Sequence, residues 1–162
     1  MDVWRLTPAR HSRTPREAFS GRGARLYGGR WNSKGVAVVY GAESLSLAAL
    51  EALVHLDLRL TRALDFMTCV ARCPDDISHE TRGSKELPAG WNAYPAPRST
   101  AEFGDAWVRE ARSALLLLPS ALVPRERIIL LNPLHPDFGR IRLEVLEPFQ
   151  FDPRLLADAS SR

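Results

Sequence analysis

Apolar residues in this chain come in short runs, each cut off within a few positions by proline or glycine, and that punctuation limits the folds open to it. Residues 3–6, 36–40, 64–71, 115–118, 128–131 and 141–146 have the length and composition of strands, with Gly41, Pro119 and Asn132-Pro133 as stops. Two segments are helical in character: 44–56, and 100–113, the latter opened by the capping-box spacing Ser99-Thr100-Ala101-Glu102 and set to bury Phe103, Trp107 and Ala111. Strands and helices do not alternate regularly, which excludes a doubly wound parallel sheet. The prediction is an α+β fold of mixed, mostly antiparallel sheets with few helices.

Between these elements, residues 11–23 predict an arginine-rich loop with a turn near Glu17. Residues 77–98, with Pro88, Gly90, Pro95 and Pro97, predict an ordered irregular loop that buries Trp91 and Tyr94. A chain of 162 residues with 45% hydrophobic content supports one domain, expected over 1–154 with a polar tail at 155–162. No apolar run approaches the ~20 residues needed to cross a bilayer and the first residues lack a signal-peptide core, so a cytoplasmic protein is expected.

Charge narrows function only a little. The net charge is +3, and Arg10, Arg13, Arg16, Arg22, Arg25 and Arg30 make the N-terminal part the most basic. A solvated surface accounts for these arginines better than a nucleic-acid groove, because no aromatics interleave with them at stacking spacing. Cys69 and Cys73 have no further ligands at finger spacing and read as packing residues, so no metal is expected.

The chemistry is concentrated in one stretch. Gly28-Gly29-Arg30-Trp31-Asn32 lets the backbone turn sharply beside a planar fork of donors suited to a phosphate, and Tyr40 closes the apolar run that follows. In the helix after it, Leu45, Ala49, Ala52, Leu53 and Leu56 form a broad apolar face, and Ser44, Ala48, Glu51 and His55 form a narrow stripe. The pattern leaves Glu51 open to two readings, a solvated helix face or a cleft. Ser120 and His135 do not make a hydrolase, since the glycine-flanked nucleophile elbow is missing, and neither a Walker loop nor a dinucleotide glycine fingerprint occurs.

Several uncommon words in order resemble the RES-domain family: Gly28 to Gly35, Tyr40, Leu50-Glu51-Ala52-Leu53-Val54-His55, Leu87-Pro88 with Trp91, Gly104-Asp105-Ala106-Trp107, Pro119-Ser120-Ala121, and Leu131 to Phe138. The likeness runs from Trp4-Arg5 to Arg154, with Ile128 standing where many relatives carry asparagine. It implies a fold similar to bacterial ADP-ribosyltransferase toxins and the toxin role in a RES/Xre toxin-antitoxin module.

The activity implied is consumption of NAD as substrate, with no prosthetic group. Phosphorolysis with inorganic phosphate, giving nicotinamide and ADP-ribose 1''-phosphate, is the leading expectation; protein ADP-ribosylation and hydrolysis of NAD are the alternatives, and a basic nucleic-acid-binding module is the non-enzymatic one. By the same resemblance Arg30 clamps a phosphate, Tyr40 stacks on nicotinamide or ribose, Glu51 stabilises the sugar cation and Ser120 positions the substrate, with Gly29 and Trp31 beside them in the substrate-binding set. The partners implied are an Xre-like antitoxin occluding the active site and a second toxin copy within a larger complex, with DNA touched only through the antitoxin.

Overall fold

The computed structural model describes residues 1–55 and 65–155. Seven strands are found among them: β1 (Asp2–Pro8), β2 (Val39–Ala42), β3 (Phe66–Arg72), β4 (His79–Thr81), β5 (Leu115–Pro119), β6 (Arg127–Leu131) and β7 (Arg142–Phe149). The described helices are α1 (Pro15–Ala18), α2 (Arg22–Tyr27), α3 (Leu45–Leu53) and α4 (Arg98–Glu110), besides single 3-10 turns. One sheet holds all the strands in the order β4-β5-β6-β2-β1-β3-β7. Every pairing is antiparallel except β4 with β5, so the expected mixed α+β class is met.

Both faces of this sheet are covered, and β5 shows why. Its leucines alternate: Leu115 and Leu117 enter a core with Val3, Phe19, Val39 and Ile129, whereas Leu116 and Leu118 enter a second core with Trp31, Leu47, Trp91 and Trp107. A strand buried on both sides reads as an unbroken apolar run, and each such leucine contributes roughly 2 kcal/mol. Cys69 and Cys73 lie in the first core, free and buried, with their thiols pushed up to about 11 chiefly by burial.

The middle of the sheet is its weak seam. β1 runs with β3 along its full length, and β2 runs with β6, yet β1 and β2 meet only at Trp4 and Ala42. Gly41 allows that meeting, because a Cβ there would lie 2.5 Å from Val3 Cγ1 and 3.0 Å from the Trp4 carbonyl. The two halves then part on the side of Arg5 and Tyr40.

Several expectations shift. Gly41 was expected to end the second strand, but the strand starts later, at Val39, and passes through it. The capping box is not made: α4 begins at Arg98 after Pro97, the Thr100 hydroxyl donates to the Pro97 carbonyl at 2.6 Å, and Glu102 pairs with Arg98. Ala111, expected in the core, ends α4 exposed and left-handed at φ 47. Arg22 and Gly23, the end of the expected arginine-rich loop, open α2, and β4 emerges from the expected irregular segment. Within that segment Trp91 is buried and Tyr94 is 94% exposed. Leu56, Leu64 and positions 156–162 of the expected tail lie outside the described residues.

Candidate active site

Helix α3 starts where Ser44 caps it, the hydroxyl accepting from Leu47 N at 3.1 Å. Leu47 and Ala48 are buried against the second core, and Glu51, one turn further on, follows them toward the same face. The narrow stripe carrying Glu51 is therefore turned inward at Ala48, half-buried at Ser44 and Glu51, and opens to solvent at His55. At its end Ser120, fully buried just past β5, donates to Glu51 Oε1 at 2.7 Å. The Ser120 oxygen also accepts from Leu122 N and Val123 N, both at 3.0 Å, so its single proton is aimed at the carboxylate. Glu51 Oε2 accepts no hydrogen bond among the described residues.

The other end of the site is a knot of backbone. Gly28 (φ 75) ends α2, and Gly29 N donates to Asn32 O at 2.9 Å, closing a tight turn around Arg30 and Trp31. The buried Asn32 amide ties this turn to α2 through Ala24 O at 2.9 Å and to the descending chain through Val36 O at 3.0 Å. Into the turn reaches Tyr40, whose hydroxyl donates to Asn32 Oδ1 at 2.8 Å and accepts from Trp31 N at 3.0 Å. A Cβ on Gly29 would lie 2.6 Å from that hydroxyl, which is why this position is glycine. Burial is the main cause that lifts the Tyr40 phenol well above its ordinary pKa.

Arg30 and Trp31 both have partners within the chain. Arg30 donates through Nη1 to the carbonyls of Trp91 at 2.6 Å and Ala93 at 2.8 Å, strapping the 88–97 loop to the turn. Trp31 is fully buried, edge-on to Phe103 at 5.9 Å, and supports the site from below. Helix α4 presses on it so closely that a Cβ at Gly104 would overlap the Trp31 carbonyl, and Asp105 accepts from Ser33 N at 2.9 Å. His135 caps a 3-10 turn by accepting from Asp137 N, far from any role beside Ser120, and Ile128 is a core residue paired with Ala42 and Leu118.

Arg5 is the residue that sequence analysis passed over. It lies where β1 and β2 part, donating to Tyr40 O at 2.6 Å and Ala18 O at 3.0 Å, with no carboxylate partner among the described residues. Burial, the chief cause, pulls its pKa below the usual arginine value. An arginine between Trp4 and Leu6 in an apolar strand is the signal, since arginine is seldom buried without an anion or a hydrogen-bonded role.

Tyr40, Trp31, Leu47 and Ala48 all belong to the second core, so the knot and the Glu51–Ser120 pair border one face of the sheet at separate points. Comparison with known proteins gives this arrangement a lineage. The RES domain family model matches residues 2–152. The chain belongs to the RES-domain family.

Among relatives of this RES-domain chain, the Prs ADP-ribosylating toxin of Sphingobium sp. (strain YBL2) is 42% identical over 96% of this chain and 97% of its own. Toxin Res of Yersinia enterocolitica is 41% identical over 85% of this chain and 90% of its own. A chain of the M. tuberculosis MbcT-MbcA toxin-antitoxin complex superposes with a TM-score of 0.63 at 17% identity, over 96% of this chain and 86% of that one, which shows a shared fold.

Proposed function

We propose that this RES-domain protein is the toxin of a toxin-antitoxin pair and acts on NAD, breaking the bond between nicotinamide and ribose and passing ADP-ribose to an acceptor. The observation that carries the reading is the Glu51 carboxylate, anchored through one oxygen by Ser120, with no bond to the other oxygen among the described residues. When nicotinamide leaves with the bonding electron pair, positive charge develops at the ribose carbon. A fixed anion beside it lowers that barrier, and two to four kcal/mol is the usual scale for one such group, about 2.7–4 where measured. Arg30, bonded only through Nη1 among the described residues, offers its other donors to a phosphate of NAD, Tyr40 holds the turn that carries it, and Arg5 braces the parting of the sheet. An antitoxin of the Xre type is the partner that occludes this cleft, and DNA is reached through that partner.

Inorganic phosphate is the acceptor in the leading form of this reading: its oxygen attacks the ribose carbon as nicotinamide departs, giving ADP-ribose 1''-phosphate. A protein acceptor is the second form, favoured by the 42% identical relative named for ADP-ribosylating Prs. Purified protein with labelled NAD, alone and together with cell lysate, separates them. Phosphorolysis predicts nicotinamide release that stops when phosphate is omitted, with no label from NAD on protein. Label on a protein band, with release indifferent to phosphate, selects the second form; no release under either condition removes the NAD reading.

A further inference from the structure

Away from the Glu51 cleft, an open groove of about 480 Å³ runs between α2, residues 35–37 and α4. Its floor is aliphatic, built by Val36, Ala37 and Val108, with Leu134 at the edge 75% exposed. Arg25 and Arg109 flank it, and neither has a carboxylate partner among the described residues. Arg82, Arg112, Arg127 and Arg140, by contrast, are each paired with a carboxylate, so the charge around this groove is less neutralised than theirs. Asp105 also lines the groove, but its Oδ1 is engaged by Ser33 N at 2.9 Å. Arg22 lies one turn before Arg25 on α2, and Lys34 adjoins Gly35, so the surroundings add positive charge. On the same short helix Leu26 and Tyr27 are 52% and 77% exposed.

We propose that this groove docks an acidic segment of a partner protein that carries aliphatic side chains. Unneutralised arginines on both sides of the groove are complementary to carboxylates, and they draw such a segment in and fix its register. The floor decides between polypeptide and nucleic acid: it offers aliphatic side chains and no aromatic platform for bases. The walls are already set, since Gly35 N donates to Arg25 O at 2.8 Å and Asp105 holds Ser33, so little ordering accompanies docking. The occupant leaves Glu51 and Ser120 uncovered, and the proposal stands apart from the NAD reading.

Fluorescence anisotropy tests it with a labelled peptide of glutamates and leucines at helical spacing, a counterpart with lysines for the glutamates, and a DNA duplex, all near 0.15 M salt. The intact protein is expected to bind the acidic peptide at least tenfold more tightly than the lysine counterpart and more tightly than the duplex. Combining Arg25→Glu with Arg109→Glu is expected to weaken the acidic peptide at least tenfold, and Leu134→Ser to weaken it several-fold. These exposed substitutions leave the melting temperature and any nicotinamide release unchanged. Equal affinity for the two peptides, an undiminished affinity in the double variant, or preference for the duplex overturns the proposal.

Discussion

The two ends of the candidate site are held by opposite means. Around Tyr40 the bonds are many: the hydroxyl bridges Trp31 N and Asn32, and Arg30 Nη1 is strapped to two carbonyls of the 88–97 loop, while Trp31 Nε1 is buried without a partner among the described residues. Around Glu51, among the described residues, a single hydrogen bond from Ser120 holds the carboxylate and the other oxygen has no partner. The difference teaches that a residue belonging to a family motif can serve the fold, the chemistry or both, and that hydrogen-bond saturation tells them apart. Substitutions in the knot should therefore act through stability, and those at the pair through activity.

The largest effect expected from the knot is Gly104→Ala, which drives a methyl into the Trp31 carbonyl where backbone faces backbone. A loss of about 3 kcal/mol is expected from denaturant melts. A stable Gly104→Ala protein would mean that α4 can move off the turn, and the contrast between the ends would weaken. Next comes Tyr40→Phe, which leaves the Trp31 N–H and the Asn32 carbonyl oxygen without their partner. A loss of about 1–3 kcal/mol is expected. The surviving folded fraction should keep most of its activity, whereas inactive but fully stable protein would place the phenol in the chemistry.

At the other end Ser120→Ala removes the donor to Glu51 and the acceptor for two N–H groups. Activity should fall about tenfold, equivalent to about 1.4 kcal/mol, beyond any loss of folded protein, with stability lowered by about 1–3 kcal/mol. A stability loss without an activity loss would make Ser120 a turn residue and nothing more. The smallest effect is on the alkaline side. Burial holds the folded Tyr40 pKa above its ordinary value of 10.0, so the neutral phenol favours the folded state below that pH and the advantage is lost as pH climbs past it. Tyr40→Phe should flatten the decline in stability above pH 10, read by melts against pH.

How much of this was legible beforehand follows from the range of each interaction. The Glu51 stripe and the apolar runs were visible because helix and strand periods are local, and burial of Ala48 settled which way the stripe turns. The position of Gly41 was misread because a glycine that stops a strand and one that lets a neighbouring strand approach look alike in one chain. The capping box failed for a similar reason: Pro97 already starts the helix with a fixed φ, leaving Thr100 and Glu102 to bond elsewhere. The strap from Arg30 was not legible because its carbonyl partners lie 61 and 63 positions away. Arg5 went unnoticed because the gap it bridges exists only once the two half-sheets diverge.

The central claim is that the second oxygen of Glu51, the one not bonded to Ser120, faces the reacting sugar, and Glu51→Gln tests it most directly. The amide keeps the shape and can still accept from Ser120 through its carbonyl oxygen, so the melting temperature should stay at that of the parent protein. Nicotinamide release from NAD, measured on both proteins at equal concentration, should fall at least about 100-fold in the variant. Release at the parental rate from folded Glu51→Gln protein would contradict the account.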